Sequence, residues 1–185
     1  MKILAIISLG IGVGSGHFSR TLKLINELKK RDNKVLFIFN KKEKFENLDK
    51  NFKFDFTNFR NKNIILDKIS EFNPNLIILD SYIISYDLNK KIYELNKNII
   101  SIDDNLSKKH ICKYYINYNF VDKKLKMKFS QKIHSKNNFI GPKYFFSDHF
   151  NSKNKKSKKN QVLIFLGSTN ENNILDKIIP IFRDK

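Results

Sequence analysis

The sequence predicts an α/β chain built on a doubly wound, mostly parallel sheet. Three observations carry this. Short apolar runs rich in β-branched residues recur along the chain, as expected of strands covered on both faces. Segments with helical spacing of apolar residues separate them. A glycine-rich stretch lies between the first run and the first helical segment, where such domains open toward a ligand.

The elements follow in order. Lys2–Ser8 (KILAIIS) is a buried strand bounded by glycines, and Gly10-Ile-Gly-Val-Gly-Ser-Gly-His17 is a loop. His17–Arg31 carries Leu22, Ile25 and Leu28 at helical spacing with Lys and Arg at its end, which predicts a helix. Asp32-Asn33 turns the chain into a second strand, Lys34–Asn40 (KVLFIFN). Phe52–Thr57 is a third strand, and Asn63–Phe72 is a helix stopped by Asn73-Pro74. Leu76–Asp80 (LIILD) is a central strand, Tyr86–Lys97 a helix, Asn98–Asp103 a strand and Tyr114–Tyr118 a further one. No internal repeat is visible.

Asn151–Asn160 (NSKNKKSKKN) has no apolar residue and reads as a basic linker or exposed loop. The pattern then restarts with Gln161–Leu166, the turn Gly167-Ser-Thr-Asn170 and a helical stretch from Glu171 to Ile179. The expected organisation is a Rossmann-like domain over 1–150, a linker over 151–160, and over 161–185 the first strand, turn and helix of a truncated second domain. One strand and one helix cannot bury a core alone.

Composition limits the function classes. The chain has 185 residues, 41% of them hydrophobic, enough for a real core. No apolar run approaches the ~20 residues of a membrane-spanning helix, and no signal-peptide cleavage pattern follows the apolar start. A lone cysteine, Cys112, excludes an intrachain disulfide framework and a cysteine-based zinc site. A cytoplasmic protein is expected. The net charge of +18 invites a nucleic-acid reading. However, 32 of the 36 basic residues are Lys, and Lys, Asn, Ile and Phe together make 99 of 185 residues. That is the bias of AT-rich coding, whereas nucleic-acid readers favour Arg. No specific nucleic-acid partner is expected.

The glycine loop decides between ligands. Glycines between a strand and a helix expose backbone N–H groups beside the positive end of a helix, a site suited to phosphate. Gly10, Gly12, Gly14 and Gly16 alternate strictly, so G-x-G-x-x-G fails. Asn40 and Lys41 stand where the dinucleotide fingerprint needs an acid. No Gly-Lys-Ser/Thr follows, which excludes a Walker loop. His17 stands where the helix begins. A positive helix terminus disfavours imidazolium, and a neutral imidazole beside an anion-binding loop suits a general base. Arg20 lies one turn on and reads as a phosphate or carbonyl ligand, or as a surface charge. His110, His134 and His149 have no metal-ligand spacing and read as surface or local structural residues. Cys112 reads as a buried filler.

Gly14-Ser15-Gly16-His17-Phe18-Ser19-Arg20 resembles the G-x-G-H-x-x-R motif of the pseudaminic-acid pathway UDP-sugar hydrolases and their spore-coat polysaccharide relatives. Five further segments are similar to that family's and come in its order: Asp80-Ser-Tyr82 at a strand end, Ser101-Ile-Asp103-Asp104, Ile116-Asn117-Tyr118-Asn119, Gly141-Pro-Lys-Tyr144 and Leu166-Gly167-Ser168-Thr169-Asn170. The resemblance implies a GT-B-like fold with two Rossmann-like domains facing a cleft. It implies release of UDP from UDP-2,4-diacetamido-2,4,6-trideoxy-β-L-altropyranose, with no metal or other cofactor. His17 would activate the attacking water and Tyr82 would position the sugar. Gly14–Gly16 and Gly167–Thr169 would face the diphosphate, with Arg20, Asp80 and Asn117 as further binding residues.

The chain departs from that family in places. The arginine that follows G-x-x-Y is replaced by Tyr144-Phe-Phe-Ser147-Asp148, the second glycine of L-G-G-T by Ser168, and the acid after it by Asn170. The uridine-binding second domain is expected to be missing, leaving a fragment with reduced or no activity unless a second chain supplies that domain. Two other readings remain open: a GT-B glycosyltransferase using a UDP-sugar donor, which for a lipid acceptor needs an apolar docking patch, and a non-catalytic truncated domain that binds polyanions.

Overall fold

The computed structural model describes residues 1–9, 16–28, 33–42, 52–106, 108–146, 173, 176–177 and 179–180. The strands among them are β1 (Lys2–Ile7), β2 (Lys34–Phe39), β3 (Phe52–Phe56), β4 (Leu76–Asp80), β5 (Ile99–Ile102), β6 (His110–Asn117) and β7 (Ile133–Ile140). The helices are α1 (Gly16–Leu28), α2 (Lys62–Phe72), α3 (Tyr86–Leu95) and α4 (Lys123–Lys132), followed by a 3₁₀ turn at Pro142–Tyr144. All seven strands form one sheet in the order β3–β2–β1–β4–β5–β6–β7, and every pairing is parallel. This is a Rossmann-like α/β fold.

Local chemistry sets the helix ends. Asn61 accepts the Ile64 N–H at 3.5 Å to start α2, and Asn73 ends it in the left-handed region (φ 47°), directly before Pro74. Ser85 caps α3 by accepting the Leu88 N–H at 3.3 Å, with Asp87 in the positive first turn.

The apolar runs bury both faces of the sheet. On one, Leu4 and Ile6 of β1 pack with Ile65 and Ile69 of α2 and Leu88 and Ile92 of α3. On the other, Ile3, Ala5 and Ile7 pack with Ile25 of α1 and a phenylalanine cluster. Phe37 is fully buried there, with the rings of Phe18, Phe39, Phe52 and Phe54 at 5.3–5.8 Å. Such edge-to-face and offset pairs add to burial.

The expected strands and helices from β1 to β5 are present within a few residues of their expected ends. β6 starts earlier than expected, at His110. α4 and β7 have no counterpart in the sequence reading. α4 is KKLKMKFSQK and β7 is IHSKNNFI, an edge strand with little to bury. The loop over 10–15, the expected linker over 151–160 and the expected strand and turn over 161–170 lie outside the described residues. Residues 176–177 and 179, within the last expected helix, are helical.

Sheet order places the ligand end. β1 lies between β2 and β4, so the connections leave it in opposite directions and open a crevice beyond the C-terminal ends of β1 and β4. Register pairs Ile7 with Asp80, and the Ser8 N–H donates to the Asp80 carbonyl at 3.2 Å.

Phe37→Ala should cost about 3–5 kcal/mol, because truncation leaves a cavity that stacked rings cannot collapse into. Phe37→Leu should cost clearly less. Urea unfolding followed by circular dichroism measures both; equal small losses would mean the cluster is loosely packed.

Candidate functional site

Asp80 is the last residue of β4 and is fully buried. Three side chains on one face of α1, at His17, Arg20 and Thr21, converge on it. The Arg20 guanidinium grips the carboxylate with two nitrogens, Nε at 2.6 Å from Oδ2 and Nη2 on Oδ1. The Thr21 hydroxyl donates to Oδ2 at 2.9 Å, and His17 Nδ1 meets Oδ1. The spacing i, i+3, i+4 puts all three on the helix stripe facing the sheet.

Arg20 has a second carboxylate. Nη1 donates to Asp104 Oδ2 at 2.7 Å and to the Tyr118 hydroxyl, and the guanidinium lies 5.5 Å from the Tyr118 ring centre. Tyr82 donates to Asp104 Oδ1, and Tyr118 to Oδ2 at 3.1 Å. The Tyr82 ring meets the His17 ring edge-on at 4.5 Å. Asp80, Arg20, Asp104, the two tyrosines and His17 are thus one connected array at the β1/β4 crevice.

The array shifts the ionisation of Arg20, Asp104 and Tyr82. Burial works against the Arg20 charge, but the Asp80 hydrogen bonds and the charges of Asp80 and Asp104 outweigh it and raise its pKa. Burial would raise the Asp104 carboxyl, yet the Tyr82 hydrogen bond and the Arg20 charge hold it below the usual carboxylate range. Burial, reinforced by Asp104, pushes the Tyr82 phenol up, so Tyr82 stays a donor. His17 Nδ1 sits between the Asp80 carboxylate, which can only accept, and Arg20 Nη2 at 3.0 Å, which can only donate; with the Nδ1–H turned to Asp80, the neutral ring keeps its lone pair on Nε2. Among the described residues, no hydrogen bond engages Nε2. A buried carboxylate on one ring nitrogen, with the other nitrogen uncommitted, is an arrangement open to a histidine base.

The expected site residues divide clearly. His17, Arg20, Asp80 and Tyr82 come together. Gly16 opens α1 at the same crevice, and among the described residues nothing lies within 4 Å of where a Cβ would stand. Arg20 is 8% exposed and committed to two carboxylates, so it serves as an internal counter-ion. Asn117 is buried at the end of β6, where its side chain accepts the Asn119 N–H at 2.9 Å. Gly14, Ser15, Gly167, Ser168 and Thr169 lie outside the described residues. Thr21, Tyr118 and the joining role of Asp104 were not read from sequence. Thr21 was findable, one residue past Arg20 on the same stripe; the others depend on long-range packing. Burial pushes the Cys112 thiol up to about 12, which keeps it unreactive. Among the described residues, no three His, Cys, Asp or Glu side chains converge to hold a metal ion. No helix among the described residues is long and apolar enough to cross a membrane.

Under the site, Lys108 joins two loops. Its Nζ donates to the carbonyls of Ser81 and Ile84, at 2.5 and 2.6 Å, on either side of Tyr82 and Ile83. Burial lowers its pKa to about 8 against the favourable charges of Asp103 and Asp80.

No family model matches the chain. Over an alignment of 193 positions, gaps included, it is 28% identical to an uncharacterized protein of Methanocaldococcus jannaschii. That alignment covers 97% of this chain and 39% of the archaeal protein, so the chain spans about two fifths of that relative's length.

Two outcomes follow from this electrostatics. Asp80→Ala strands Arg20 without its buried partner and should cost about 3–5 kcal/mol. Arg20→Leu combined with Asp80→Ala should cost less than the two single losses added, as a double-mutant cycle in urea reads. The folded chain holds the Lys108 proton less tightly than the unfolded chain, with a pKa of about 8 against 10.5. The charged amine therefore burdens folding below pH 8, and the burden lifts as pH rises toward 10.5. Relative to Lys108→Met, the native chain should gain about 2 kcal/mol between pH 7.5 and 10.

Proposed function

We propose that this chain carries the catalytic half of a nucleotide-sugar hydrolase that releases UDP from UDP-2,4-diacetamido-2,4,6-trideoxy-β-L-altropyranose. The observation that carries the reading is the buried Asp80–His17 pair at the sheet's topological switch point, with Nε2 uncommitted beside the N-terminus of α1. The ordered set of resembling segments, from Gly14–Arg20 to Leu166–Asn170, supplies the substrate class.

The chemistry follows from those groups. His17 Nε2 takes a proton from water as the water oxygen bonds to the anomeric carbon. The bond from that carbon to the β-phosphate oxygen breaks, and UDP leaves with the electron pair. Asp80 steadies the imidazolium, which then gives its proton to solvent. Backbone N–H groups in the first turn of α1 favour the charge that develops on the leaving phosphate. Tyr82 is half-buried against His17 with its hydroxyl on Asp104, where its ring edge guides the sugar. Uridine recognition belongs to sequence beyond this sheet, in the same chain or a second one.

A glycosyltransferase with a lipid acceptor is the second reading. In its favour, Phe120 is 80% exposed and Met127 69%, on a stretch carrying Lys123, Lys124, Lys126, Lys128 and Lys132. Sedimentation with anionic vesicles, abolished by Phe120→Ser, would favour it.

His17→Ala should abolish UDP release from the 2,4-diacetamido sugar nucleotide, and Asp80→Asn should lower it by roughly 10²–10⁴-fold through the wrong tautomer. A coupled UDP assay reads both. Full release by the His17→Ala chain would sink this reading.

A further inference from the structure

We propose that His110 is a positioning residue for this site: it holds Asp103 so that the next residue, Asp104, meets Arg20, Tyr82 and Tyr118. The inference rests on the reading of His17 and Asp80 as the reacting pair.

His110 opens β6 and is 3% exposed. Both ring nitrogens are engaged: Nδ1 lies 2.8 Å from the Ser101 hydroxyl and Nε2 lies 2.8 Å from Asp103 Oδ2. Ser101 and Asp103 are each 1% exposed. Burial would raise the Asp103 carboxyl, but the His110 hydrogen bond and charge outweigh it. Asp103 is therefore an acceptor and the Nε2 proton points to it, while the Ser101 hydroxyl, which can donate or accept, meets Nδ1.

Asp103 is pinned from other sides too. Its N–H donates to the Ile116 carbonyl at 3.1 Å, its carbonyl accepts from the Tyr115 hydroxyl at 3.3 Å, and Oδ1 accepts the Asn105 N–H at 3.1 Å. These contacts matter because β5 and β6 are parallel neighbours joined only by residues 103–109. Parallel strands need a crossover of about a dozen or more residues, usually with a helix that packs on the sheet. Here the polar chain Ser101–His110–Asp103 braces the tight return. The same return carries Asp104, 23% exposed, which ties α1, the β4–α3 loop and the end of β6 together through Arg20, Tyr82 and Tyr118.

His110 has no route to act on a ligand itself. Beside it lies a cavity of about 10 Å³, bordered by Ser81, Ser101 and Lys108, room for about one water. Ser, His and Asp are the residue types of a nucleophile relay, but at 1% exposure Ser101 is closed to an acyl substrate. The set therefore works through the backbone of Asp103.

The test compares His110→Leu, His110→Gln and Ser101→Ala in the full chain. Glutamine keeps a donor for Asp103 and an acceptor for Ser101; leucine keeps only bulk. The first readout is the His17 imidazole resonances by NMR, which respond to the Tyr82 ring at 4.5 Å. The second is kcat for UDP release. His110→Leu should shift the His17 resonances and lower kcat roughly 10- to 100-fold, as a misplacement of about 1 Å does. His110→Gln should match the native chain within about threefold, and Ser101→Ala should shift the resonances less, in the same direction. A folded His110→Leu chain with native His17 resonances would overturn the proposal, as would equal effects of Leu and Gln. If His110→Leu does not fold, unmoved resonances in Ser101→Ala overturn it. A native chain without UDP release would count against hydrolysis by this chain on its own and leave the positioning role standing, since the resonance comparison tests positioning without turnover.

Discussion

The buried carboxylate of Asp80 is the constraint on which the rest of this site depends. A charge taken fully out of water has to be matched, or it costs several kcal/mol. Arg20 matches it with two nitrogens, and Thr21 and His17 complete its acceptor capacity. All three partners come from one stripe of α1, so the match also fixes how that helix is rotated and docked over β1 and β4. The histidine is then oriented as a consequence of satisfying the aspartate. A fold that must solve this burial problem also holds a histidine in a fixed orientation at the crevice.

The same match settles what Arg20 cannot do. One guanidinium serves two carboxylates, Asp80 and Asp104. With His17 neutral, the connected array carries a net charge of −1 inside a chain whose net charge is +18. Arginine held this way is no ligand for phosphate, although its spacing from the glycine loop suggests one. The surface lysines still draw anions toward the molecule over about a Debye length. On the proposed reading, local repulsion at the carboxylates would turn a sugar's hydroxyls toward Asp104 and its phosphates away.

Much of the fold was legible because burial on both faces leaves a plain signature. KILAII, KVLFIF and LIILD are almost uniformly apolar, and the sheet interior accepts little else. α4 and β7 were illegible for the opposite reason: each meets the core on a narrow strip, and Lys, Ser and Asn fill the rest. In the site, His17, Arg20 and Asp80 were legible from their positions at helix and strand ends, and Tyr82 only through the resemblance of Asp80-Ser-Tyr82 to a known family's segment. Their mutual bonds were not, since Arg20 reaches partners 60 and 84 residues away. His110 shows the limit well. Without metal-ligand spacing it reads as a surface or local structural histidine; it is buried, and its place at the short β5–β6 return is visible only in the fold.

With Arg20 committed, a diphosphate at this crevice would have to be held by groups that carry no full charge. The N–H groups in the first turn of α1 are such groups, and among the described residues nothing lies within 4 Å of where a Cβ on Gly16 would stand. Helix termini offer about half a charge, fixed in place and needing no reorganisation. That suits a leaving group whose charge grows during reaction better than it suits tight binding of the substrate. Affinity would then come from contacts to the nucleoside, and the crevice of this sheet would act mainly on the bond being broken. Such a division of labour lets one Rossmann-like domain carry the reactive geometry while recognition of the base is built elsewhere.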